Sequence, residues 1–240
     1  MLAEYFLDIL FPQSTCCICR KPGRYTSKNP WCSECNETMA ELRQGVVCIK
    51  CGKYLEEEEA TLCLDCQKNP PEFHISRAVG PYDKPYRKAI KILKFLGKKI
   101  VANQMGSMMA EVVANEPRFW PIDLIVPVPS SPSRLKQRGF NQTSLLASKI
   151  SKRIKVKMNP DVLIRIKETP SQRELTRQER EINLRRAFAV QNPSVIRNQN
   201  LLLVDDVYTT GSTSRECTRT LLEAGASRVS IITWATGRGY

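Results

Sequence analysis

Eight cysteines set in four C-x-x-C pairs, Cys16/Cys19, Cys32/Cys35, Cys48/Cys51 and Cys63/Cys66, constrain the N-terminal part of this chain more than any other feature. Two residues between thiols let both sulfurs of a knuckle converge on one ion, and the intervals between knuckles leave room for a short ribbon. The expected product is a pair of tetrahedral four-cysteine zinc sites. Pairing the knuckles in sequence gives a double zinc ribbon; an interleaved pairing satisfies the same spacing. Cys17 then stands as a spectator thiol, and Cys217, far from the others, reads as a small core residue.

Disulfides are the competing chemistry, and they need an oxidising compartment. Residues 1–12 carry Glu4 and Asp8 and no basic stretch, so they do not read as a secretory leader. Tyr5, Phe6, Ile9 and Leu10 suggest instead a short amphipathic turn packed on the protein itself. No run approaches the ~18 apolar residues of a membrane span. A cytoplasmic chain with reduced, metal-bound thiols is expected. Because large apolar residues are sparse before residue 70, the metal must supply much of that module's folding free energy. Asn69, Pro70 and Pro71 break any periodic structure, which divides the chain into a zinc module, 1–70, and a second domain, 71–240.

Charge divides at the same place. Residues 1–70 hold 8 Lys and Arg against 10 Asp and Glu, whereas residues 71–240 hold 29 against 14. The net charge of +13 therefore belongs to the second domain, and it suits a polyanion or a phosphate-rich substrate. That domain alternates apolar runs with helical spacing. Strands are expected at residues 75–82, 122–128, 162–166, 201–204 and 229–233. Helices are expected at 86–96, 102–114, 143–154 and 214–224, the last stopped by Gly225. Such alternation predicts an α/β fold, a parallel sheet with helices on both faces. The helix at 86–96 has a basic side: Lys88, Lys91 and Lys94, with Lys98 and Lys99 following, are candidates for nucleic-acid backbone contacts, as are the lysines of 149–157.

Residues 201–213 place an apolar strand, two carboxylates and a Gly- and hydroxyl-rich turn directly against a helix start. The turn would aim backbone N–H groups at an anion above the strand end. In that order, Asp205 and Asp206 can face ribose hydroxyls while Thr209, Thr210, Gly211, Ser212 and Thr213 seat a 5′-phosphate. Neither G-x-x-x-x-G-K-[ST] nor G-x-G-x-x-G is present, which excludes those two nucleotide-binding loops. A second loop follows the strand at 122–128. Ligands of open α/β sheets lie beyond the strands' carboxyl ends, so both loops can share one crevice. Ser130, Arg134 and Arg138 are the candidates there for a pyrophosphate, whose charge is best met by donors of fixed geometry. Residues 165–186 are too polar for a core helix and read as a functional loop able to close over the site, with Gln172, Arg180 and Asn183 as its polar positions of interest.

The four knuckles, Pro127-Val128-Pro129 with Arg138-Gly139-Phe140-Asn141-Gln142, the Gln172, Leu175, Arg180, Asn183, Phe188 series, and the strand-acid-acid-turn motif together resemble the ComF/ComFC family of bacterial competence proteins over almost the whole chain. The resemblance implies a type I phosphoribosyltransferase fold behind a zinc domain, and a site for phosphoribosyl pyrophosphate with Mg²⁺ in which Asp205 and Asp206 are the catalytic pair. It also implies a role in natural transformation, with single-stranded DNA and a competence helicase of the ComFA type as partners. The same site would serve a phosphoribosyltransferase of nucleotide or amine metabolism. Purine enzymes of this fold class place an acid where this chain has Thr209, so purine salvage is not expected. A base for transfer would come from elsewhere, Glu174 or Glu179 for example; His74, the sole histidine, lies at the domain boundary and is a poor candidate.

Overall fold

A computed structural model describes residues 15–22, 29–57, 59–96, 99–167 and 184–239, without the side chain of Lys99. Helices α1 (Ser33–Leu42) and α2 (Leu64–Lys68) belong to the cysteine-rich part. They are followed by β1 (Ser76–Pro81), α3 (Lys84–Leu96), α4 (Lys99–Asn115), β2 (Leu124–Pro127), α5 (Pro132–Arg138) and α6 (Gln142–Ile154). The chain continues through β3 (Leu163–Arg165), β4 (Phe188–Val190), β5 (Asn200–Tyr208), α7 (Ser212–Glu223) and β6 (Arg228–Thr236). The main sheet is parallel throughout, in the order β1-β6-β5-β2.

The pleat of the strands sorts their side chains into two cores, one on each face, because successive residues of a strand point in opposite directions. In β5, Leu202 and Val204 join Tyr86, Met105 and Leu146 of helices α3, α4 and α6. Leu201 and Leu203 join Cys217 and Leu221 of α7. Every one of these residues is buried.

The zinc module straddles the edge of this sheet. Cys16, Trp31, Cys35 and Met39 pack into the first core, whereas Cys48, Cys51, Cys63 and Cys66 pack into the second, beside Phe73 and Tyr208. Between them runs edge strand β1, and Ser76 N–H donates to Lys50 C=O at 2.8 Å. An exposed parallel edge would be a template for unwanted pairing, and the third knuckle covers it. Arg77, only 9% exposed, fixes that knuckle in place. Its guanidinium donates to the carbonyls of Cys48 (3.4 Å) and Ile49 (3.1 Å) and pairs with Glu116 at 3.0 Å. On the opposite face Tyr86 Oη donates to Met39 C=O (2.7 Å) and accepts from Arg43 Nε (3.0 Å), while Trp234 Nε1 donates to Tyr86 C=O.

Three differences from the sequence expectation bear on the site. The segment expected as a strand at 162–166 lies outside the parallel sheet. It forms the short antiparallel pair β3-β4, because residues 157–159 already occupy the place beside β2 through Ile125 N–H to Lys157 C=O and Asn159 N–H to Ile125 C=O. Strand β5 does not stop before the acids; it continues to Tyr208 because Asp205, Val207 and Tyr208 stay in register with Thr233, Ala235 and Thr236 of β6. The stretch between Pro129 and Asn141 contains a helix, α5, with Pro132 in its first turn and Gly139 closing it at φ 75°.

Candidate functional site

The eight cysteines form two separate groups, Cys16/Cys19/Cys32/Cys35 and Cys48/Cys51/Cys63/Cys66, with all four sulfurs of each within 4.8 Å of one another. The pairing is therefore sequential. Cys16 and Cys35 sulfurs are 3.8 Å apart, Cys19 and Cys32 3.6 Å, and Cys51 and Cys63 3.6 Å. A tetrahedron with Zn–S bonds of about 2.3 Å has edges of about 3.8 Å, so the donor sets fit zinc. Backbone N–H groups point at the sulfurs, from Cys19 and Cys32 to Cys16 Sγ and from Cys51 to Cys48 Sγ, which offsets thiolate charge. The two groups differ in setting: all four cysteines of the second are buried, whereas Cys19 of the first is exposed. Cys17 lies outside both groups.

At the carboxyl ends of β2 and β5 lies a cleft of about 700 Å³. One wall is the β2–α6 connection, which contributes Ser130, Arg134, Arg138 and Gln142; the other is the end of β5, which contributes Asp205, Asp206, Thr209 and Thr213. Sequence had marked all of these but Gln142. Thr210, Gly211 and Ser212 form the turn itself, with Thr210 and Ser212 hydroxyls 2.8 Å apart. Gly211 sits at φ 80° and caps α7 without a side chain of its own; Thr210 Oγ1 accepts the Ser212 N–H at 3.4 Å, and a glycine-capped helix start of this kind suits an anion. A Cβ at Gly211 would stand 2.3 Å from Tyr208 Oη, so the turn is closed over that tyrosine as tightly as glycine permits.

The acid pair is already engaged. Gln142 Nε2 donates to Asp206 Oδ2 at 2.7 Å, and Lys94 Nζ lies 2.9 Å from Asp206 Oδ1. Gln142 is itself fixed through its carbonyl oxygen by Arg138 Nη1 (2.9 Å) and Ser130 Oγ (3.3 Å). Asp205 Oδ1 accepts the Asp206 N–H at 2.7 Å. Burial, and next the Asp206 charge, push the Asp205 carboxyl up to about 7. Both aspartates nonetheless line the cleft, each 8% exposed.

Lys94 thus lies inside the cleft, not on the outer basic side of α3 with exposed Lys91 and half-buried Lys88. Phe95 and Tyr82, not anticipated as site residues, also line it, as does Arg165, the first residue of the segment expected to close over the site. The Arg138 guanidinium stands 5.7 Å from the Phe95 ring centroid. For Gln142 a signal existed, its place in the Arg138-Gly139-Phe140-Asn141-Gln142 motif; for Phe95 and Tyr82 none did. Lys98, the Lys99 side chain, Gln172, Arg180, Asn183, Glu174, Glu179 and residues 1–14 lie outside the described residues.

Comparison with known proteins agrees with both halves of the chain. Residues 6–67 match the double zinc ribbon domain, and residues 142–240 match the phosphoribosyl transferase domain. The chain is 28% identical over 229 residues to Competence protein F of Haemophilus influenzae, covering 92% of this chain and 96% of that protein. It is 30% identical over 223 residues to DNA utilization protein YhgH of Salmonella typhimurium (90% and 94%). It is 28% identical over 212 residues to Competence protein ComFC of Bacillus subtilis (84% and 82%).

Proposed function

This chain belongs to the ComF/ComFC family of competence and DNA-utilization proteins, and from that membership we propose that it binds phosphoribosyl pyrophosphate with Mg²⁺ and serves the handling of single-stranded DNA in natural transformation. One observation carries the ligand: two loops from separate strands wall a single cleft, one with an acid pair and a glycine-capped helix start, the other with arginines. In this reading Asp205 and Asp206 hold the ribose hydroxyls. The 5′-phosphate sits on Thr209, Thr210, Gly211, Ser212 and Thr213, and Ser130, Arg134 and Arg138 meet the pyrophosphate. The carboxylate pair at the cleft floor suits a hard cation with oxygen ligands, and Mg²⁺, held mainly by the ligand's own phosphates, would neutralise part of their charge.

Calorimetric titration with phosphoribosyl pyrophosphate and Mg²⁺ tests the site. Heat of binding in the wild type and its loss in Asp205→Ala/Asp206→Ala support it; unchanged binding in the double variant would sink it. Pyrophosphate release with any acceptor would add transfer to binding. Lys88, Lys91, Lys98 and Lys99 are the proposed contacts for the DNA backbone. Affinity for a single-stranded oligonucleotide that falls steeply with salt, and falls further in Lys88→Ala/Lys91→Ala, is the expected result. A ComFA-type helicase is the proposed protein partner, testable by co-purification.

A further inference from the structure

We propose that Lys94 is the residue by which the cleft distinguishes a ribose 5-phosphate carrying an anionic group at its anomeric carbon from one that carries none. The inference rests on the phosphoribosyl reading above and deepens it by naming what that site selects.

Both oxygens of the Asp206 carboxylate are taken, Oδ1 by Lys94 at 2.9 Å and Oδ2 by Gln142 at 2.7 Å. Each oxygen keeps a further lone pair, but with Asp206 only 8% exposed a sugar hydroxyl approaches it most directly from the place that Lys94 or Gln142 now holds. Gln142 is locked, because its other amide end is held by Arg138 and Ser130. Lys94 is an ammonium on a flexible four-carbon stem and swings at lower cost. It is therefore the partner that leaves.

Where it can go is restricted. The Lys94 side chain is only 22% exposed, and an ammonium parted from its carboxylate in such a place needs another anion. Asp205 and Asp206 are the only carboxylates among the described residues lining the cleft; the other charged lining residues are Arg134, Arg138 and Arg165. Asp205 is desolvated, already accepts the Asp206 N–H and is assigned to the ribose in this reading, so the replacement anion comes from the ligand. It cannot be the 5′-phosphate, which this reading seats on the β5–α7 turn; Lys94 rises from α3, beside Phe95, whose ring faces Arg138. The anion that meets Lys94 is thus the second one, on the Arg138 wall. Binding becomes an exchange in which Asp206 trades the ammonium for hydroxyls while Lys94 trades the carboxylate for an anomeric phosphate. Ribose 5-phosphate forces the first half of that exchange and supplies nothing for the second.

The test is titration of wild type, Lys94→Met, Lys94→Gln and Lys94→Arg with phosphoribosyl pyrophosphate and with ribose 5-phosphate, both with Mg²⁺, at fixed ionic strength. Circular dichroism confirms the fold of each, and Lys84→Met at the exposed start of α3 controls for loss of one charge. The wild type is expected to prefer the pyrophosphate. In Lys94→Met and Lys94→Gln that preference should shrink at least about tenfold, since pyrophosphate affinity falls while ribose 5-phosphate affinity holds or rises, and Lys94→Arg should keep most of it. Equal weakening of both ligands, or an unchanged ratio in a folded variant, overturns the assignment of Lys94 alone. A wild type that binds neither ligand overturns the phosphoribosyl reading, and this inference with it.

Discussion

Asp205 and Asp206 are consecutive residues of β5, yet they face opposite sides of the sheet. Asp206 meets Lys94 and Gln142, carried by the helices of one face, while Asp205 lies close enough to Cys217 of α7, on the other, for its charge to help push that thiol up. Asp206 is compensated by a cation and an amide, whereas Asp205 is desolvated and accepts the Asp206 backbone N–H. Burial, and next the neighbouring Asp206 charge, raise the Asp205 carboxyl.

The raised Asp205 carboxyl predicts a pH dependence of stability. The Asp205 carboxyl is raised in the folded state, to about 7, above its ordinary range. A group raised on folding contributes stability at pH below its unfolded value and loses it as pH rises through the folded one. The melting temperature of the free protein should therefore fall between pH 5 and pH 8. Asp205→Asn should flatten that fall and melt higher than wild type at pH 8, each kcal/mol relieved being worth about 2–4 °C in a chain of this size. Calorimetric scans at both pH values check it; a wild type that melts at the same temperature throughout contradicts the assignment.

Gly211 supports the β5–α7 turn by having no side chain. With φ 80° and a would-be Cβ 2.3 Å from Tyr208 Oη, Gly211→Ala is strained in backbone and in packing. A cost of about 1–3 kcal/mol in chemical unfolding is expected, together with loss of phosphoribosyl pyrophosphate binding. Gly139→Ala meets nothing within 4 Å and serves as the comparison, since only its φ of 75° is unfavourable.

The two zinc sites should respond unequally to chelation. Cys19 of the first is exposed, whereas the second is wholly buried and packed with Phe73 and Tyr208 beneath the β5–α7 turn. Metal analysis should give two zinc ions per chain, the first released quickly to a chelator and the second only with unfolding. Cys19→Ser should leave a folded chain with one weakened site. Cys51→Ser should melt broadly or fail to accumulate, because its metal contributes folding free energy directly.

Arg77 ties the third knuckle to the sheet edge, and its removal leaves Glu116 and two knuckle carbonyls without that partner. Arg77→Ala should destabilise by about 3 kcal/mol, in the range for breaking a buried ion pair from one side. Arg77→Lys should recover little of it, because an ammonium cannot span the same acceptors. Urea unfolding of both variants is the measurement.

What the sequence determined by itself was local in origin. C-x-x-C spacing marks thiols that share an ion, and an apolar run ending in acids, glycine and hydroxyls marks a strand, a turn and a helix start. Each pattern depends on residues only a few positions apart, so the sheet type, the eight metal ligands and both cleft loops were legible. The partners chosen across the fold were not. The placing of the ribbons on either side of β1, the antiparallel departure of residues 163–165 and the capture of Asp206 by Lys94 all join residues distant in sequence. Lys94 shows why: on a helix whose lysines look alike in one dimension, only the rotation of α3 against β5 decides which ammonium enters the cleft and which stays in water.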